Sequence, residues 1–357
     1  MPASARMLAP HLAPDQNSFN LIRLTAALTV LLSHLLIIQA GSDTLDPLLQ
    51  VTPFTLGQHA VNAFFFLSGL MLSQSVERRP DLADYLWARF LRIVPGLFVF
   101  GLLMAFVAGP LLSSSHPLDY FSDPHTWIYP FAILVEFAKA APPHHVFQGL
   151  PYAEAVNTPL WTIKYEILAY GVLAAFSAAG WTRRTGTLWG ALAFALVLFT
   201  AQAALENVGD TSHLYQLGRY GFCFTLGMMA FHYRERVSLA LAWFLGSVLL
   251  VVVTRGTALE HAAYVVLVAH GVMLAGTRTY GALTKATQRH DISYGVYIYH
   301  WPVAQALLVE IPGIGMPLLL ALTLLITLPL AVASWRYVEA PALRLKNRMP
   351  RLLLRRA

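Results

Sequence analysis

The sequence predicts an all-α polytopic membrane protein, a bundle of about ten transmembrane helices, and three observations predict it. Of 357 residues, 57% are hydrophobic and 12% charged, where a soluble domain carries about 45–50% and about 25%. Apolar stretches of membrane length recur along the whole chain, separated by polar or Pro- and Gly-rich punctuation, and roughly twenty apolar residues are what a helix needs to cross a bilayer. The basic residues alternate with those stretches. With the N-terminus taken as cytoplasmic, nineteen of the twenty-one Lys and Arg outside the spans fall on the inner side, and only Lys139 and Arg255 fall outside. Ten spans give this positive-inside asymmetry; nine or eleven destroy it. The composition excludes an ordinary soluble enzyme and a disordered chain, and the single cysteine, Cys223, excludes a disulfide framework.

The first 18 residues lack the apolar core and cleavage site of a signal peptide and read as a cytoplasmic segment. The membrane domain is expected over 19–338 and a basic cytoplasmic tail over 339–357. The spans are 19–39, 59–76, 91–112, 158–179, 187–205, 215–232, 238–254, 260–277, 291–310 and 314–335. The stretch 113–157 reads as the longest non-helical segment, an outer loop rich in proline from Pro117 to Pro151, with Trp127–Lys139 as an interfacial or re-entrant piece. No internal repeat is visible.

Ionisable residues inside spans are expensive and are functional candidates by default. The first span carries Arg23 and His34. Eleven residues is close to three helical turns, so both project from one face, about 16 Å apart along the axis. A snorkelling arginine and a hydrogen-bonded core histidine are the plain alternatives. The second span holds Asn62 and then Ser68-Gly69, small residues that let another helix or a ligand approach closely. The third opens on Arg89-Phe90-Leu91-Arg92, two guanidiniums on one face, which fits a phosphate clamp as well as a positive-inside anchor. The fourth contains Trp161, Lys164, Glu166 and Tyr170; Lys164 reads as snorkelling, whereas Glu166 must pair, protonate or face water. The sixth carries Arg219, which either snorkels or binds an acceptor. The ninth runs from Tyr294 through Tyr297 and His300 to Pro302; Pro302 frees the carbonyl of Ile298 and bends the helix near His300. His270 reads as structural. His144-His145 lacks acidic or Cys company at metal-ligand spacing, so no metal is expected.

Taken together these segments resemble acyltransferase family 3, the integral-membrane O-acyltransferases that decorate sugars. The matching pieces occur in the family's order: Arg23 with ten residues before His34, Asn62 to Gly69, Arg89-x-x-Arg92, Leu160-Trp161-Thr162 through Glu166 and Tyr170, Arg219 through Leu226-Gly227-Met228, Ser293-Tyr294 through Tyr297 and His300, and Tyr337-Val338-Glu339-x-Pro341. They cover residues 19–341. Each is weak alone; seven in order are specific. The chain departs from the pattern at Asn62, where the family often has an acid, and at Thr162, where Ser is common. The seventh and eighth spans match only in hydrophobicity, and no appended soluble esterase-like domain is expected.

The resemblance implies an acyl-CoA co-substrate, acetyl-CoA foremost, on the cytoplasmic side of a bacterial inner membrane, and a hydroxyl acceptor on a carbohydrate or glycoconjugate. It implies no permanently bound cofactor and no nucleic-acid partner. His34 is then the expected general base, with acceptance of the acyl group by His34 itself as the alternative, and Glu166 is expected to orient it or to stabilise its imidazolium. Arg23, Arg89 and Arg92 are expected at the donor. Asn62, Ser68, Trp161, Arg219, Tyr294, Tyr297 and His300 are expected at the acceptor or in support. A secondary transporter with an intramembrane Arg/His/Glu pathway is the rival expectation; the missing repeat speaks against it.

Overall fold

A computed structural model describes residues 7–78, 81–150, 156–205 and 212–347. Arg6, Arg79, Pro151 and the tail arginines from Arg348 onward lie outside the described residues. Helices occupy each predicted stretch: α1 Phe19–Ala40, α2 Leu56–Arg78, α3 Leu82–Leu103, then, after the loop helix α4 Pro124–Glu136, α5 Ile163–Ala178, α6 Thr185–Ala203, α7 His213–His232, α8 Leu241–Thr254, α9 Glu260–Gly276, α10 Ser293–Glu310 and α11 Met316–Ser334. Among the described residues there is no strand beyond two isolated bridges. Four runs are long and apolar enough to cross a membrane by length and composition: Phe19–Ala40, Leu82–Leu112, Thr185–Ala203 and Met316–Arg344. The α8 and α9 helices are apolar but shorter, so length alone does not fix the number of crossings.

The burial pattern identifies the solvent. The α8 helix buries Ser247 and Thr254 and exposes Trp243, Leu249, Val252 and Val253. The α11 helix buries Thr323, Thr327 and Ser334 and exposes Leu318, Leu325 and Val332. Polar side chains point inward and apolar ones outward, the reverse of a helix facing water and the arrangement that hydrocarbon favours.

One expectation is corrected. The stretch 113–157 is not free of helix. It contains a short helix, Pro117–Ser122, and α4. Proline is tolerated in a first helical turn, where its missing N–H has no partner to lose, and both helices begin on one. Asp123 then caps α4 by accepting the His125 N–H at 2.8 Å.

The chain forms two compact units. The first comprises Met1–Val30, Pro47–Leu82 and Tyr165–Arg289. Its centre is the seam between α2 and α7, where backbones nearly touch. A Cβ on Gly69 would lie 2.0 Å from the Phe224 carbonyl oxygen, and one on Gly227 would lie 2.2 Å from that of Phe66. The Gly69 approach expected from the sequence is therefore packing. The N-terminal segment is tied to this unit by Leu8 and Leu12, which join a cluster with Phe66, Phe231 and Met273.

The second unit comprises Leu31–Asp46, Ala83–Lys164 and His290–Ala357. Here α10 and α11 meet at Gly295, where a Cβ would lie 2.7 Å from the Ala331 Cα. A π-helical turn, Met104–Ala108, follows α3, and the Tyr120 hydroxyl donates to the Ala105 carbonyl at 2.8 Å.

Gly227→Leu tests the seam. Its side chain meets backbone rather than a movable side chain, so the cost should be at least the roughly 1–3 kcal/mol of an overpacked core. A thermal melt in detergent should fall well below that of the parent; an unchanged melt would mean that α2 and α7 do not approach this closely.

Candidate functional site

The second unit holds a histidine pair. The Nδ1 of His34, on α1, lies 2.8 Å from the Nε2 of His300, on α10. The rings are nearly parallel, at 11°, with centroids 5.1 Å apart, and Trp301 meets His34 edge-on. His300 is fully buried. Its Nδ1 lies 2.9 Å from the Val296 carbonyl oxygen, one turn back on its own helix. A carbonyl only accepts, so His300 Nδ1 carries a proton. A neutral imidazole has one N–H and one lone pair, so with both rings neutral His300 Nε2 accepts and His34 Nδ1 donates. The in-plane lone pair left over belongs to His34 Nε2. The arrangement fixes which nitrogen of which histidine can take a proton.

The surroundings of the pair are built by the turn 157–162. Tyr297, whose ring lies 6.2 Å from that of His300, donates to the Pro159 carbonyl at 2.9 Å and lies 2.6 Å from the Thr162 hydroxyl. Asn157, 2% exposed, donates through Nδ2 to the Ile298 carbonyl at 2.6 Å. That is the carbonyl which Pro302 leaves without its helical donor. Beside His34 on α1, Ser33 donates to the buried carboxylate of Asp46 at 2.6 Å.

In the same unit Arg92 is 2.8 Å from Asp291 and 3.6 Å from Glu339. Glu339 is 1% exposed and also accepts from Ser334, and Tyr294 donates to the Ile93 carbonyl in the adjoining packing. A phosphate at Arg92 must therefore displace one of two carboxylates. Arg89, one turn before it, has its guanidinium 5.8 Å from the Tyr85 ring.

In the first unit Arg219 does not snorkel. It is fully buried, donates from Nε to Asn62 Oδ1 at 2.8 Å, and lies 4.9 Å from both the Phe54 and Tyr220 ring centroids. Two candidates placed far apart in the sequence are therefore one contact, tying α7 to α2. Glu166 accepts from the Tyr170 hydroxyl one turn on, whereas His34 has His300 as its partner. Arg23 and Ser68 lie half-buried on α1 and α2, and Trp161 half-buried just before α5.

In the outer loop His144 and His125 both bond Asp123. The His125 N–H foremost, with these side chains, holds that carboxylate below its usual range. Among the described residues no group of three His, Cys, Asp or Glu is arranged to hold a metal ion.

Sequence reasoning missed Asn157, Asp46, Asp291 and Glu339 as partners. The freed Ile298 carbonyl was the signal for Asn157: a buried carbonyl without a donor demands one.

The acyltransferase domain family matches residues 16–336. Nodulation protein 10 of Rhizobium leguminosarum bv. viciae is 27% identical over 94% of this chain and 96% of its own length. The O-acetyl transferase of Shigella phage Sf6 is 28% identical over 90% of this chain and 95% of its own length. No solved structure matches.

Asn157→Leu should cost about 1–3 kcal/mol by leaving the Ile298 carbonyl buried and bare. Adding Pro302→Ala should recover part of the loss, because residue 302 regains the N–H that serves that carbonyl. A double-mutant cycle of melting temperatures checks this; strict additivity would break the link between the two residues.

Proposed function

The chain belongs to this acyltransferase family, whose domain it matches along almost its whole length, and on that premise we propose that it moves an acetyl group from cytoplasmic acetyl-CoA to a hydroxyl of a carbohydrate or glycoconjugate, with His34 as general base. The observation that carries the assignment is the chain of contacts from His34 Nδ1 to His300 Nε2 and from His300 Nδ1 to the Val296 carbonyl.

A hydroxyl is a poor nucleophile at neutral pH and needs a base that is unprotonated there; histidine supplies one without large tuning. His34 Nε2 takes the hydroxyl proton as the oxygen attacks the thioester carbonyl. The tetrahedral intermediate collapses by breaking the carbon–sulfur bond. The sulfur leaves with the proton that His34 gives back, so the ring returns to its starting tautomer. While His34 is an imidazolium, its Nδ1–H still points at the His300 lone pair, which orients it and spreads the charge. His300 is the positioning residue.

Arg23 and Arg89 are the cations proposed for the donor's phosphates; Arg92 joins them by exchanging Asp291 or Glu339 for phosphate, and otherwise braces α3 against α10. Glu166 is proposed to act with Tyr170 as a supporting pair. Asn62, Ser68, Trp161, Arg219, Tyr294 and Tyr297 are proposed to line or support the acceptor path. The proposed setting is a bacterial inner membrane, with ten crossings, both termini cytoplasmic and 113–157 outside. The phage relative is an O-acetyl transferase, which supports acetyl as the group moved.

His34→Ala should lower turnover by about 10²–10⁴-fold, the usual loss for a general base, with acetyl-CoA binding largely intact. His300→Ala should lower turnover while leaving donor binding alone, since it removes the partner that aims Nδ1. Acetyl transfer to glycans of a deletion strain complemented with each variant, followed by mass spectrometry, gives the readout. If His34→Ala keeps more than about a tenth of parental turnover, the base lies elsewhere.

A further inference from the structure

The first unit contains two neighbouring cavities that share a lining residue. One, of about 520 Å³, has a mixed lining and is the more polar of the two; it lies where α2, α5 and α7 end and α6 begins, and Ser177, Thr182, Arg183, His232, Arg234 and Glu77 border it. The other, of about 540 Å³, is almost wholly apolar and runs along α5, α6 and α7 between Tyr165, Phe194 and Leu217. Met228 lines both.

The two cavities sit at different membrane depths. Trp181 and Trp189 are exposed beside the polar one, and exposed tryptophans next to arginines mark the headgroup level. The apolar one follows residues 165–176 of α5, 187–198 of α6 and 217–228 of α7. Each stretch rises by eleven residues, about 16 Å, and one leaflet of a hydrocarbon core is about 15 Å deep. Small residues hollow it out: Gly190, Ala191, Ala195 and Gly221 present no bulk. The groove is therefore one leaflet long, and its polar end lies where a lipid carries its headgroup.

Charge selects the headgroup. Arg234 is paired with Glu77 at 3.2 Å, and His232 Nε2 lies 3.2 Å from the Thr185 hydroxyl. Arg183 is exposed on the cavity and makes no hydrogen bond or ion pair among the described residues. The α6 helix starts beside it with no side-chain cap on its first turn, which adds outward N–H groups and the positive end of the helix dipole. We propose that these two cavities form one binding site for a membrane phospholipid of net negative charge, its phosphate at Arg183 and Arg234 and its acyl tail in the α5–α6–α7 groove.

The site goes beyond the acyl-transfer reading and needs only that these helices lie in a bilayer. The pantetheine arm of CoA, with its amides, does not suit a groove this apolar, so the occupant is taken from the membrane rather than from the donor.

The test uses the full-length chain in detergent, read by native mass spectrometry and thermal shift. The probes are phosphatidylglycerol, phosphatidylcholine with the same acyl chains, and glycerol 3-phosphate. The parent should retain phosphatidylglycerol at least tenfold better than phosphatidylcholine, and glycerol 3-phosphate should give no shift. Arg183→Gln should remove the preference between the lipids. Gly190→Phe, placed where a Cβ meets nothing within 4 Å, should fill the groove and cut retention of both lipids at least tenfold at an unchanged melting temperature. Equal retention of the two lipids by the parent overturns the proposal. So does lipid retention that Gly190→Phe leaves intact, or a glycerol 3-phosphate shift as large as that of the lipid, which would make the site one for soluble phosphate. Should Gly190→Phe fail to fold, Arg183→Gln at the surface decides alone: an unaltered preference overturns the assignment.

Discussion

A carbonyl oxygen can only accept a hydrogen bond, and the proposed chemistry depends on one carbonyl, that of Val296. It fixes the proton on His300 Nδ1, which leaves His300 Nε2 to accept from His34 and His34 Nε2 to act. No carboxylate is needed to choose the tautomer. The backbone of α10 does so, and because His300 is fully buried water cannot compete for either contact. The Asn157 contact to the Ile298 carbonyl that Pro302 frees on the same helix holds the turn that presents His300. A proline that removes one hydrogen bond and an asparagine that replaces it thus act on the turn of α10 that carries His300.

The same requirement shapes the rest of each unit. In hydrocarbon a bare polar group costs several kcal/mol, so polar residues are turned inward, away from the lipid-facing surface. The guanidinium of Arg219 is held by Asn62 and by two rings, and that of Arg92 by two carboxylates. The hydroxyls of α8 and α11 face inward. Where backbones must approach closely instead, the residue is glycine, as at Gly69, Gly227 and Gly295.

The sequence made the helices legible, because lipid imposes a length and a composition on every crossing and the positive-inside bias orders them. It also made the candidate residues easy to single out, because an ionisable residue in a span stands out. The pairings were not legible. Asn62 and Arg219 are 157 positions apart, Arg92 and Asp291 are 199 apart, and His34 and His300 are 266 apart, and nothing local predicts such contacts. The local contact of Glu166, to a tyrosine one turn along its own helix, was within reach of the i, i+4 spacing that both residues show in the sequence. The helices within 113–157 were hidden because their prolines read as breakers, whereas Pro117 and Pro124 occupy first turns, where proline starts a helix.

The central claim is that His34 Nε2 carries the free lone pair. Nitrogen NMR of the full chain labelled with ¹⁵N-histidine, with His34 assigned by comparison with His34→Ala, reads the tautomer directly. At neutral pH the account predicts a protonated Nδ1 and an unprotonated Nε2 on His34, with His300 protonated at Nδ1. A His34 ring protonated at Nε2 and bare at Nδ1 would contradict it, because the nitrogen left to take the acceptor's proton would then face His300.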